Sequence, residues 1–485
     1  MSEAVAGPSA RLRAGAWLAV ALLTAAAAVP RAWPIAERAL WFDEASTVYS
    51  AQQGPAAMLR WEHHYEHPPL SYALVWLSTR VFGGNDEWIV RLPSLLAGVA
   101  CVPLVFLLGL RLGGPGLGLA AALLAAVDPN LVSESQQARM YTLFVVLLIL
   151  CALPLPRLLS GREHSSWAWV GYGLLLALAF LTSVLSILLW IAVITTIALS
   201  ARRQAAPRKL LSAGALAFAF ATALCHVGIG RLGHRLLVGP PDPVPKVPWT
   251  AALSEALQAL GSLFGSPLVT GLVLAAAVAG LLLLRRSGPP FYYLLVLLAA
   301  NLAILAPLRE IPHLVRPRYA TALEVPVFIG LGAWVALPRR AAVRRAAWIV
   351  LTALALWLGS YSLRTLVLGS PAQYAPGEAA RRAREWVGRE DGFVFFPAWL
   401  AKLGWYYGLE ASPPCLTSTT WVLFGHVRAR GAAPEGADLL AELAARCEAR
   451  FDRARWLERL ATEDAALARI ERSGEVQPAP AETEP

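Results

Sequence analysis

Blocks of apolar residues, each close to the length needed to cross a bilayer, recur through this chain, and short arginine-bearing segments separate them. A helix that crosses the hydrocarbon core needs about 20 such residues, because each adds only 1.5 Å. Only helices that satisfy their own backbone can be repeated this way in lipid. Composition agrees: 57% of the chain is hydrophobic and 15% is charged, against about 25% charged in ordinary soluble domains. The expectation is an all-α polytopic membrane protein with about 11 transmembrane helices.

The basic residues sort the loops. Arg11 and Arg13, Arg111, Arg157 and Arg162, Arg202 to Lys209, Arg285 and Arg286, and Arg339 to Arg345 fall in alternate loops. Positive charge marks cytoplasmic loops. The formal net charge of +10 is therefore read as orientation, not as a nucleic-acid surface. This puts the N-terminus in the cytoplasm of a multi-pass plasma (inner) membrane protein. The Ala/Leu run ending near Pro30 reads as an uncleaved first span, in preference to a signal peptide. Segments 31–90, 128–141, 230–266, 307–318 and the tail beyond 364 then face outward. Arg309, Arg316 and Arg318 oppose the charge rule, which points to an anionic partner.

The expected spans are roughly 92–110, 117–127, 142–159, 167–181, 184–199, 210–229, 267–284, 291–306, 319–337 and 346–363 after the first. Asp128-Pro129-Asn130 reads as a turn ending the third span. Segment 31–90 is polar and aromatic, and its run from Ser71 to Phe82 reads as an interfacial helix. Three domains follow: a membrane domain over 1–370, a small extracytoplasmic domain over 371–475 that is α/β or helical, and a disordered tail over 476–485. Gly392 to Pro397 reads as a strand, and 435–450 and 452–472 as helix-like runs. Cys101, Cys151 and Cys225 read as small hydrophobes. Whether Cys415 and Cys447 pair is left open.

Asp43 and Glu44, just beyond the first span, read either as a helix N-terminal acid pair favoured by the helix dipole or as part of a site. Three histidines at 63, 64 and 67 read as interfacial residues or ligands. Arg139 reads as a snorkelling residue or an anion contact. Trp399, Trp405, Tyr406 and Tyr407 read as domain core or interfacial belt in preference to a sugar platform.

The ordered set Leu40-Trp-Phe-Asp-Glu-Ala-Ser46, His67-Pro-Pro-Leu70, Arg91-Leu-Pro-Ser-Leu-Leu96, Gln137-Ala-Arg-Met-Tyr141 and Arg316-Pro-Arg-Tyr319 resembles the bacterial protein mannosyltransferase/aminoarabinose transferase superfamily. These are glycosyltransferases of the GT-C fold (families 39 and 83) that use polyprenyl-phosphate sugars. The resemblance covers roughly residues 15–330, and no motif of the tail matches. It implies a GT-C-like bundle and transfer of a sugar from a lipid-linked donor to a glycan, lipid or protein hydroxyl. It implies Asp43 as catalytic base and Glu44 on the acceptor side. It places Arg139, Arg316, Arg318 and Tyr319 at the donor phosphate, with His67 and Tyr141 in support. A divalent metal, held by Glu66 and His67, is a further implication. The residue pattern after the acids departs from that of the lipid A sugar transferases, which leaves the acceptor open.

Chemistry favours one base. The reference pKa of an aspartate, about 3.9, is too low to ionise an alcohol beforehand, so the proton must move as the new bond forms. A retaining double displacement needs a protein nucleophile, and no candidate exceeds Asp43, so inversion is expected. A lipid-linked saccharide transporter or flippase is the alternative, and a non-catalytic envelope-assembly protein is another. A transporter would show polar or broken spans near the midplane.

Overall fold

A computed structural model describes residues 10–33, 35–60, 67–159, 166–200, 263–303, 317–338 and 340–367, four strand segments between 392 and 471, and scattered residues within 212–261 and 377–409. The described chain divides into two compact units, 1–35 with 50–367 and 36–49 with 368–485.

The first unit is helical. The helices are α1 (Ala10–Ala32), α2 (Phe42–Gln52, whose last turn belongs here), α3 (Pro55–Arg60), α4 (Leu70–Phe82), α5 (Glu87–Gly113), α6 (Pro115–Val127), α7 (Pro129–Ser135), α8 (Tyr141–Ala152), α9 (Leu155–Leu159), α10 (Ser166–Thr182), α11 (Ser186–Ser200), α12 (Pro267–Leu283), α13 (Pro289–Ala303), α14 (Thr321–Ala336) and α15 (Ala341–Val367). Among the described residues, five helices are long and apolar enough to cross a membrane, or six if the bent pair α6–α7 counts as one span. Helices α10 to α13 are shorter and apolar. Ten expected spans thus have an apolar helix in place, and the seventh, 210–229, is described only at scattered residues. The chain is a multi-pass membrane protein.

Helix α4 explains the reading of 71–82. Ser71, Tyr72, Val75, Ser78 and Thr79 are buried, at spacings of three and four, while Leu77, Val81 and Phe82 are exposed. One face packs and the other meets the surroundings. Gly83 ends it at φ 75°, a backbone angle that costs glycine little.

The segment after the third span differs from expectation. Asp128-Pro129-Asn130 does not open a loop. It starts a new helix, α7, bent 59° from α6. Pro129 stands at the first helical position, where its missing N–H costs nothing, and the Asp128 carboxylate accepts from the Leu131 N–H at 2.8 Å. The same residues that signal a turn also cap a helix. The guanidinium of Arg31 seals the other side of the break. It donates to the carbonyls of Ala125 and Ala126, each at 2.8 Å, and so meets the negative end of α6.

Glycines let α12 and α14 cross closely. A Cβ on Gly280 of α12 would strike the Gly330 carbonyl, and one on Gly330 of α14 the Ala277 carbonyl. Small residues let membrane helices approach to backbone contact.

In the second unit a four-stranded sheet runs in the order β1-β2-β4-β3, with β1 (Gly392–Phe396), β2 (Thr419–Gly425), β3 (Arg455–Arg459) and β4 (Ala465–Glu471). Strands β1 and β2 are parallel, and the other pairs are antiparallel. The expected strand at 392–397 is present. The helix-like run 452–472 is instead a β-hairpin: good helix formers such as Ala, Leu, Arg and Glu are overridden by pairing to β2. Run 435–450, Cys225, Cys415 and Cys447 lie outside the described residues. Cys101 and Cys151 are buried thiols.

Candidate functional site

Three chain segments meet in one cationic cluster of the first unit. His67 precedes α4, held by the stiff Pro68-Pro69 pair. Arg139 lies in the turn between α7 and α8. Its backbone is clamped by Ser94 of α5, whose hydroxyl donates to the Arg139 carbonyl at 2.7 Å and accepts from the Arg139 N–H at 3.3 Å. Thr142 donates to the Ser94 carbonyl at 3.0 Å. The third segment is the 3-10 turn Pro317–Ala320 ahead of α14.

The side chains converge. The Arg139 guanidinium donates to His67 Nε2 at 3.0 Å and lies 5.9 Å from the centre of the Tyr141 ring. Tyr141 meets Tyr319 edge to face, with 6.0 Å between centroids. Arg318 lies 5.3 Å from the Tyr319 ring. Burial first, then Arg139 and Arg318, holds the His67 imidazole well below the usual histidine range. The ring is therefore neutral near pH 7. A guanidinium only donates, so Nε2 must accept and the proton must sit on Nδ1. That Nδ1 is buried and meets no acceptor among the described residues, and neither does the buried Tyr141 hydroxyl.

Of the expected donor-side residues, the structure brings together His67, Arg139, Tyr141, Arg318 and Tyr319. Arg316 and Glu66 lie outside the described residues. Among those described, no three His, Cys, Asp or Glu side chains gather where an ion could bind. His67 does not fit a cation ligand here, since a guanidinium holds Nε2 and a second one lowers the ring's proton affinity.

The acid pair belongs to the second unit. Asp43 and Glu44 occupy the first turn of α2. Glu44 is fully buried, and its Oε2 accepts from the Trp41 N–H at 3.3 Å. This is the reach of a capping-box glutamate. Asp43 is half-buried, and its carbonyl accepts from the Thr47 hydroxyl at 2.8 Å. The chain ahead of it is fixed in the same unit: the Leu40 N–H donates to the Tyr407 hydroxyl at 2.8 Å, and Arg381 donates to the Glu37 carbonyl at 2.9 Å.

A second polar group in the first unit was not anticipated. Glu324, inside α14, accepts from the Asn130 amide of α7 at 2.5 Å. Asp128, Glu134 and Arg31 are buried beside them. The signal was present: an acid within the apolar run 319–337 is costly in a span and demands a partner. Arg91 of the Arg-Leu-Pro-Ser motif is also buried and donates to the Ile35 carbonyl at 2.8 Å, a contact that braces the chain leaving α1.

No curated protein matches the chain. The family model described as dolichyl-phosphate-mannose-protein mannosyltransferase matches residues 66–227, which include His67, Arg139 and Tyr141. The apo structure of ArnT from Cupriavidus metallidurans is similar at TM-score 0.62 and 13% identity, covering 94% of this chain and 98% of that one. The same protein bound to undecaprenyl phosphate is similar at TM-score 0.59 and 14% identity, covering 93% and 98%. The resemblance read from the motifs therefore holds: this chain has the GT-C fold of polytopic membrane glycosyltransferases and carries, over 66–227, the mannosyltransferase family pattern.

Proposed function

We propose that the chain is a membrane glycosyltransferase that moves a sugar from a polyprenyl-phosphate donor to an acceptor hydroxyl on the extracytoplasmic face. One observation carries the reading: the cluster of buried Arg139, half-buried Arg318 and a neutral His67 whose buried Nδ1–H meets no acceptor among the described residues. Buried donors without acceptors are costly, and an anionic phosphate oxygen would satisfy them. The ArnT structure with undecaprenyl phosphate and the family match support the donor class. The sugar and the glycan, lipid or protein that accepts it are not specified by these features.

The step balances with one base. The acceptor oxygen attacks the anomeric carbon as the bond from that carbon to the phosphate oxygen breaks. The hydroxyl proton passes to the Asp43 carboxylate as attack proceeds, because aspartate cannot remove it beforehand. The bonding electrons leave with the phosphate, and polyprenyl phosphate departs as an anion. Arg139, Arg318 and, by the motif, Arg316 stabilise the charge that grows on it. Attack opposite the leaving group inverts the anomeric centre. Glu44 steadies the turn that carries Asp43 and supports the acceptor side. No step uses a metal.

The test is transfer from a radiolabelled polyprenyl-phosphate sugar by the purified full-length chain. Asp43→Asn should lower the rate about 10²–10⁴-fold, the usual share of a positioned base, while donor binding is retained. Unchanged transfer would remove Asp43 as base. A second reading, a flippase for lipid-linked saccharide, draws on the broken pair α6–α7 and on Glu324. It predicts translocation without transfer in sealed proteoliposomes.

A further inference from the structure

Helix α15 forms, with α12 and α14, an apolar cavity of about 300 Å³. Ala276, Leu331, Trp334, Val343, Ala347 and Leu354 are among its walls. On α15 the wall residues run from Val343 to Leu354 at spacings of three and four, so they form one stripe. The eleven residue-to-residue rises between them measure roughly 16 Å, close to half of the ~30 Å hydrocarbon core. The groove is therefore about one leaflet deep.

Its shallow end is cationic. The Arg344 N–H donates to the Arg340 carbonyl at 3.3 Å, so Arg340 caps the helix at its N-terminus. Arg340 precedes Val343 by three residues and Ala347 by seven, which places it on the groove's stripe. Arg344 flanks that stripe and donates to the Pro338 carbonyl at 2.9 Å. Arg345 lies roughly 190° round the helix from the centre of the stripe. Arg340 and Arg345 are both exposed.

We propose that this groove is a binding site for one anionic glycerophospholipid of the leaflet that meets the 339–345 loop, with an acyl chain in the groove and the phosphate at Arg340 and Arg344. Three features select this occupant over a neutral lipid or a second protein: the leaflet-length apolar stripe, the apolar character of the facing walls, and the arginines at its end. Basic pockets between membrane helices take anionic headgroups. On the charge rule this loop is cytoplasmic, opposite the face proposed for sugar transfer, so the site is separate from the donor's.

Native mass spectrometry of the full-length protein with equimolar phosphatidylglycerol and phosphatidylcholine of matched chains tests this. The wild type should retain about fivefold more phosphatidylglycerol, the size expected for one arginine near an anionic headgroup. Arg340→Gln should remove that preference and Arg345→Gln should keep it. Ala347→Phe, which fills the groove, should lower retention of both lipids. Equal retention of the two lipids by the wild type would overturn the proposal. So would indifference to both Arg340→Gln and Ala347→Phe. One-for-one displacement of phosphatidylglycerol by undecaprenyl phosphate would also overturn it, by assigning the groove to the donor chain.

Discussion

Two polar clusters are buried in the same helical unit, and they are complementary in what they lack. Around His67, Arg139 and Tyr141 there are donors that meet no acceptor among the described residues: the His67 Nδ1–H and the Tyr141 hydroxyl. Around Asp128 and Glu324 there are carboxylate oxygens that meet no donor among the described residues, Asp128 Oδ2 and Glu324 Oε2. The second group carries its own compensation. Asn130 binds Glu324, the Leu131 N–H binds Asp128, and Arg31 brings a positive charge to the same break between α6 and α7. The first group has two guanidinium groups, and Glu134 of α7 lies within electrostatic reach of both Tyr141 and Glu324. The second cluster is met mainly by partners from its own helices, while the function proposed above has the first completed by an anion from outside.

The comparison breaks most visibly at Arg139. Arg139→Ala should lower transfer about 10²–10³-fold, the usual loss for one preorganised charge-stabilising donor. Melting of the ligand-free protein should change little. Initial rates and thermal unfolding in detergent read both. The mirror case is Glu324→Ala, which leaves the Asn130 amide buried without its acceptor. It should cost about 1–3 kcal/mol, seen as a lower melting temperature, and Glu324→Gln should recover most of it. Loss of transfer by Glu324→Gln at wild-type stability would put the acid cluster in the reaction and erase the distinction.

His67 sharpens the comparison at atomic level. Asparagine can place an N–H near the Nδ1 position, whereas glutamine reaches the Nε2 position. His67→Gln should weaken polyprenyl-phosphate binding roughly 10-fold or more, since a hydrogen bond to a charged group contributes about 1.5–3 kcal/mol. His67→Asn should retain most of it. Equal loss in both would remove Nδ1 as the donor.

The smallest effect is in pH. His67 has a proton affinity lowered in the folded state relative to about 6.5 in the unfolded chain. Between those two values the unfolded chain binds more protons, so stability rises with pH. The ligand-free protein should therefore lose stability as pH falls below about 6.5, with the His67 contribution fully present above it. His67→Asn should flatten that slope. A polyprenyl phosphate should also reduce it, because an anion beside the ring opposes the lowering by the arginines.

Much of this was legible in the sequence, because membrane insertion writes itself into composition and loop charge. The long apolar helices, the one-sided helix at 71–82 and the strand within 392–397 follow from period and apolarity alone. The motif set also brought His67, Arg139, Tyr141, Arg318 and Tyr319 into one hypothesis before any contact was visible. What was hidden has physical causes. Asp128-Pro129 reads equally as a turn or as a helix start, and only the Leu131 N–H bond decides. Run 452–472 is rich in helix formers, and its strand pairing is a long-range effect. Glu324 pairs with a residue 194 positions away, a distance no local pattern spans. Glu44 shows the converse: the helix-cap reading of the acid pair is realised in its bond to Trp41.

The central claim is that the cationic cluster, not the acid cluster, takes the lipid phosphate. The most direct measurement is binding of sugar-free undecaprenyl phosphate to the purified full-length protein, compared across wild type, Arg139→Ala, Arg318→Ala and Glu324→Gln. Binding should fall at least 10-fold in each arginine variant, the loss of one charge-assisted contact, and stay near wild type in Glu324→Gln. Binding that survives both arginine substitutions in folded protein would contradict the account.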